Sequence, residues 1–202
     1  MFKKFNPIFY IILFFCNFVN LVSYPIAWAD EIQAAVATNF YNPFKTVVKQ
    51  FENKTGHKVI IITGSTGKLY AQIVNGAPFD VFLSADSLRP KLLMQNGRAV
   101  SGTQYSYAFG KITLWSPNPN VILESVKSTL LKSKFSHIAI ANPTTAPYGK
   151  ATLQALERIG LWDRLKPLLV QGENIGQTFQ FVFSENAELG FVALSQVLDP
   201  KN

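Results

Sequence analysis

The chain has 202 residues, with 19 Lys and Arg against 12 Asp and Glu, a formal net charge of +7, two histidines and one cysteine. That length suits one large domain or two small lobes. The positive charge is scattered: Lys45, Lys49, Lys54 and Lys58 are interleaved with Glu52 and apolar residues, and no Lys/Arg block with interleaved aromatics makes a nucleic-acid footprint.

Met1-Phe2-Lys3-Lys4 is a short positive start, Ile8 to Val22 is almost entirely apolar, and Ala27-Trp28-Ala29 fits a small-x-small cleavage site. Residues 1–29 are therefore expected to be an export signal, with the processed protein starting at Asp30. The apolar run is short for a membrane-spanning helix, and Asn17 and Asn20 interrupt it. Cys16, the one cysteine, lies inside this segment, and Leu13-Phe14-Phe15 ahead of it lack the small residues of a lipidation site. No disulfide or thiol chemistry is expected of the remainder.

Ile32 to Ala37 reads as a first strand. Pro43 suits a first helical turn with Asn42 as its cap. Phe44, Val47, Val48 and Phe51 then fall on one helical face that Gly56 ends. Val59-Ile60-Ile61-Ile62-Thr63 reads as a buried parallel strand, Gly64 to Gly67 as a turn, and Lys68 to Val74 as a short helix broken by Asn75-Gly76-Ala77-Pro78. Val81-Phe82-Leu83 is a third strand, and Asp86 caps a helix running towards Asn96. This β-α series implies a parallel sheet with helices on both faces.

After Gly97 the pattern changes. Tyr105 to Phe109 and Ile112 to Trp115 are strand-like, and His137 to Ala141 reads as a buried strand. Leu153, Leu156 and Ile159 mark a helix closed by Gly160. Phe179, Val182 and Phe183 mark another, and Gly190 to Val192 a last strand with no closing helix. The second half is thus a second α/β unit. Two lobes joined by strands near Tyr107 and Ala193 would leave a ligand cleft between them.

The chemistry is sparse. His57 and His137 have no metal-ligating partners at suitable spacing. Asp80 and Asp86 flank a strand, but no partner base makes them a catalytic pair. Gly64-Ser65-Thr66-Gly67-Lys68 lacks the earlier glycine and the following Ser or Thr of a nucleotide-binding loop, since Ile62 and Leu69 stand there. What remains is recurrent: Ala37-Thr38-Asn39, Gly64-Ser65-Thr66-Gly67, Ala146-Pro147-Tyr148-Gly149 and Asn174-Ile175-Gly176 each stand where a helix begins. Helix starts present unpaired N–H groups and partial positive charge, so several aimed at one point form a nest for a small anion.

Taken together with Asn75-Gly76-Ala77-Pro78-Phe79-Asp80 to Asp86, Ala141-Asn142-Pro143 to Gly149, Gln171 to Ile175 and Ala187 to Ala193, these stretches resemble the ModA-type periplasmic molybdate-binding proteins of ABC importers. The resemblance covers essentially all of the chain after residue 29. It implies an α/β, two-lobed type II periplasmic binding-protein fold, each lobe a mainly parallel sheet flanked by helices, closing on a tetrahedral oxyanion. Lobe 1 would span 30–108, lobe 2 109–193, and 194–202 would begin a return towards lobe 1 that relatives continue. A shortened return would leave apolar faces exposed and lower stability.

By position, the resemblance implies anion contacts from Thr38 and Asn39, from Ser65 and Thr66, from Tyr148, and from the backbone N–H of Ile175. A further tyrosine found in some members is replaced here by Ala193, which places the chain with the subgroup using asparagine in the first segment. The implied function is capture of molybdate, and of tungstate, for a membrane permease by a monomeric periplasmic protein that is not an enzyme and needs no cofactor or metal. Sulfate or another oxyanion is the nearest alternative. An enzyme acting on a small phosphorylated substrate, or a cytoplasmic sensing domain, is more distant.

Overall fold

A computed structural model describes residues 30–198. The expected export signal and the last four residues lie outside that range.

Two sheets organise the chain. The first holds β1 (Glu31–Ala37), β2 (Lys58–Gly64) and β3 (Val81–Leu83) in the order β2-β1-β3, all parallel. Between them run a 3-10 turn (Thr38–Phe40), α1 (Tyr41–Thr55) and α2 (Thr66–Val74), and α3 (Leu88–Gln95) follows β3. β1 is central. Its Ala34, Ala35, Val36 and Ala37 are all buried, and Leu69 of α2 and Leu93 of α3 are buried with them.

The second sheet has the order β4-β7-β5-β6, built from β4 (Ile112–Trp115), β5 (Ile138–Ala141), β6 (Leu169–Gly172) and β7 (Leu189–Ala193). β5 runs parallel to β6 and β7, and β4 is antiparallel to β7. Side chains alternate across a strand, and β5 shows it. Ile138 and Ile140 enter a core with Leu114, Leu130, Leu156, Leu161, Leu165, Leu189 and Phe191, while Ala139 faces Phe179, Val182, Ala187 and Val192 on the other side. The helices covering the sheet are α4 (Val126–Lys132), α5 (Pro147–Arg158), α6 (Trp162–Leu165) and α7 (Ile175–Phe183), and α8 (Leu194–Val197) follows β7. Trp115 and Phe179 stack at 5.2 Å across the second face.

Several expectations are corrected. α1 starts at Tyr41 out of the preceding 3-10 turn with Phe40 at its cap position, so Asn42 is inside the helix. Of its apolar face only Val48 is buried, and among the described residues Val47 and Phe51 remain exposed. β2 is an edge strand rather than a buried one, and Ile60 is 41% exposed. Tyr105 to Phe109 forms no strand. It crosses between the sheets without a ladder partner, with Phe109 93% exposed, so the lobes are not joined by a strand there. A short helix, α8, does follow the last strand, its entry fixed by Leu194 N–H donating to Lys111 C=O. Asp86 does act at the start of α3: its Oδ1 accepts the Arg89 N–H at 2.9 Å.

Candidate functional site

Every segment singled out at a helix start lies at the carboxyl end of a strand, where α/β folds place ligands. Thr38 and Asn39 follow β1, Ser65 and Thr66 follow β2, Tyr148 opens the helix after β5, and Ile175 opens the helix after β6. The first four belong to the first sheet's half and the last two to the second. The chain topology therefore aims both sets at the seam between the sheets.

At that seam Thr38 Oγ1 accepts the Gly176 N–H at 3.2 Å, tying the first lobe to the head of α7. The hydroxyl keeps its own hydrogen to donate. Asn174 caps α7 by accepting the Gln177 N–H at 2.9 Å. With Gly176 and Gln177 engaged, Ile175 is the first residue of the helix and its N–H stands at the positive end of the dipole.

Burial raises the Tyr148 pKa, and a hydrogen bond from the Asn39 side chain offsets this only in part. An amide N–H donating to the phenol oxygen leaves the phenol hydrogen free for another acceptor. Tyr148 is 8% exposed and packs with Ile175, Ala146, Ala141 and Ala193, with Ala85 of the first lobe against the same cluster. A Cβ at Gly149 would fall 2.1 Å from Ala141 O, so the glycine lets α5 sit hard on the end of β5 and sets the position of Tyr148. Thr66 is buried and its Oγ1 accepts the Ala85 N–H at 3.0 Å. It braces the loop facing Tyr148 and, having only accepted, keeps its own hydrogen to donate.

Buried polar atoms normally find partners, and those that do not require a reason. Among the described residues Asn39 Oδ1, Ser65 Oγ and Thr145 Oγ1 are buried with none. Ser65 is an expected anion residue whose hydroxyl can donate, while the orphan at Asn39 is the amide oxygen, an acceptor that an anion does not satisfy. Ser65 stands at the cap position of α2 without spending its hydroxyl on the helix.

The six expected residues carry no charge. The nearest charged groups pair with each other, Lys68 with Glu173 across the seam and Arg89 with Asp86 at 2.5 Å. The local potential therefore comes from hydroxyls, an amide and helix starts. A hollow of about 1150 Å³ reaches Asn39 and Tyr148 from the first-lobe side, and a second of about 590 Å³ reaches Thr38, Asn39 and Gly176.

Some participants escaped the sequence reading. Tyr107 donates to Ser84 C=O at 3.1 Å and lies against Phe40 at 4.8 Å. Burial, and then the neighbouring Tyr148, push its pKa up to about 12. Thr145, two residues before Pro147, was visible as a hydroxyl ahead of a helix start. The sequence placed Tyr107 at the junction of the lobes, but its contacts depend on how the crossing segment folds back.

The bacterial extracellular solute-binding protein family model matches residues 32–202. The chain is 52% identical over 171 residues to the molybdate-binding protein ModA of Azotobacter vinelandii and 45% identical over 172 residues to that of Rhodobacter capsulatus. Each match covers 85% of this chain and 68% of the relative. It superposes on the solved A. vinelandii periplasmic molybdate-binding protein with a TM-score of 0.80 and 41% identity, over 84% of this chain and 74% of that one. These likenesses show that the chain belongs to the ModA-type family of bacterial extracellular solute-binding proteins.

Proposed function

We propose that this protein is the periplasmic binding component of a molybdate ABC importer. In this reading residues 1–29 direct export and are removed before Asp30, and the protein acts as a monomer that delivers its ion to a membrane permease without changing it chemically. Lobe 1 (30–108) contributes Thr38, Asn39, Ser65 and Thr66. Lobe 2 (109–193) contributes Tyr148 and the Ile175 N–H.

The observation that carries this is that the Asn39 side chain stands beside the Tyr148 phenol and both line one hollow, so that an amide of one lobe and a phenol of the other meet at one place. Neutral donors suit a fully ionised tetrahedral dianion, because a protonated phosphate needs an acceptor for its hydroxyl. Donors spaced for long metal–oxygen bonds leave the smaller sulfate under-coordinated, while tungstate has molybdate's charge and shape. Fixed donors lose little freedom on binding, which favours affinity. A permease that recognises the closed form couples capture to transport.

Calorimetric titration with molybdate, tungstate, sulfate and phosphate tests the reading. Heat from molybdate and tungstate with none from the other two is the expected result. Preference for sulfate or phosphate overturns it.

A further inference from the structure

The two lobes also touch at a place that none of the expected anion residues occupies. Gly67, in the first turn of α2, donates its N–H to Thr145 C=O of the second lobe at 2.8 Å. Next to it Arg89 Nη2 donates to Thr144 C=O at 3.3 Å. Arg89 is held for this by Asp86, which takes its other guanidinium nitrogen at 2.5 Å and its backbone N–H at 2.9 Å. One residue beyond Gly67, Lys68 pairs with Glu173 of the second lobe.

Both acceptors are main-chain carbonyls in the loop that leads into α5, and so into Tyr148. The approach is close. A Cβ at position 67 would fall 2.7 Å from Thr145 O and 3.0 Å from Thr145 Cα. These are backbone atoms, which cannot swing aside as a side-chain tip does.

We infer that Gly67 and the Asp86–Arg89 pair form a latch that clasps the Thr144–Thr145 carbonyls, sets the registration of the closed lobes, and controls how long the anion stays bound. The inference rests on the oxyanion reading of the cleft but concerns different residues. The Gly67 N–H is spent on Thr145 and is not part of the anion nest. Its neighbours Ser65 and Thr66 are carried into place when that bond forms, because all three stand on the first turn of one helix. The lobes then meet donor against anion only when glycine meets carbonyl. The Lys68–Glu173 pair is half-exposed on both sides and is a minor part of the clasp.

The test uses Gly67→Ala and Arg89→Lys, the second keeping the charge but not the fork that reaches Asp86 and Thr144 together. Small-angle scattering reads compaction with and without molybdate, stopped-flow exchange reads molybdate release, and circular dichroism confirms folding. Gly67→Ala is expected to stay folded, to be more extended than the parent, and to release molybdate about tenfold faster with association changed less than about threefold, as loss of one hydrogen bond plus a steric block implies. Arg89→Lys should shift release in the same direction by a smaller factor. If the parent takes up no molybdate, the functional reading fails, and the latch is still read from the scattering of the unliganded parent and G67A. Identical scattering of the two proteins, or equal release rates where molybdate binds, overturns the latch.

Discussion

The two sheets differ in how completely they are covered. In the second lobe β5 and β7 are buried along their whole lengths, with a separate apolar cluster on each face. In the first lobe β1 is buried at its carboxyl end, while β2 and β3 are edges with Ile60 and Val81 exposed, and Val47, Val100, Tyr105 and Phe109 line the surface around them. Rigidity follows from buried apolar contact, and lightly covered elements open more readily. Within the described residues the second lobe is the more completely packed of the two. It carries Tyr148 and the head of α7 on a finished core, and the thinner first lobe supplies the donors that dock against them.

The sharpest way to break this comparison is to damage each lobe in turn. Leu156 is fully buried in the second-lobe core, and Leu156→Ala should cost about 2–5 kcal/mol of stability. Val47, half-exposed on α1, should tolerate alanine within about 0.5 kcal/mol. Urea denaturation of both variants checks this, and equal losses would mean that the lobes are equally consolidated. Hydrogen exchange should agree, with β5 and β7 amides slower than those of β2 and β3.

The next effects separate binding from support. Tyr148→Phe keeps the buried ring but removes the hydroxyl and strands the Asn39 amide. Anion affinity should fall by about 1–3 kcal/mol, roughly 5- to 150-fold, with little change in melting. Thr66→Val acts on both. The half-buried Ala85 N–H loses its acceptor, so stability should drop by about 1 kcal/mol along with affinity. Calorimetry and thermal denaturation on the two variants separate a hydroxyl that serves mainly the ion from one that also braces the loop around it.

Much of this was legible in the chain. Short apolar runs located six of the seven strands, β5 and β7 most plainly because they are buried on both faces, but β6, Leu169–Gly172, is too short and polar to read. The site segments were legible because hydroxyl and amide residues stand where strands hand over to helices, and chain order alone carries them to the same seam. The misreadings share one cause. Val59 to Thr63 and the Phe44–Phe51 face have the composition of buried elements, but composition does not say whether anything lies on top. Tyr105 to Phe109 alternates as a strand does, yet a strand exists only where a partner offers a ladder. The Tyr107–Ser84 and Gly67–Thr145 contacts were invisible because each ends on a main-chain carbonyl far away in sequence, which side-chain patterning does not encode.

The smallest predicted effects are those of pH, and they divide along the same line. Tyr107 and Tyr148, at the seam, have raised pKa values, Tyr107 to about 12. A raised acid is neutral over a wider range in the fold than in the unfolded chain. Its contribution to stability is complete below about pH 10 and is lost as pH rises towards 12. The phenols stay donors beyond the ordinary phenol range, so anion affinity should be flat from neutrality through that range and fall only above it, as a phenolate beside the dianion repels it. Glu188, in the second lobe, shows the opposite case. Burial alone would raise its pKa, but the N–H groups of Ser136 and His137, each at 2.9 Å, hold it below its ordinary value. Its contribution is complete above the unfolded carboxylate range and is lost as pH falls through the lowered value. Glu188→Gln should therefore flatten the acid side of a melting-temperature profile and leave both the alkaline side and anion affinity unchanged. A shift in affinity would show that the second lobe transmits damage at its far edge to the site, and the contrast between a closely and a thinly packed lobe would have to be abandoned.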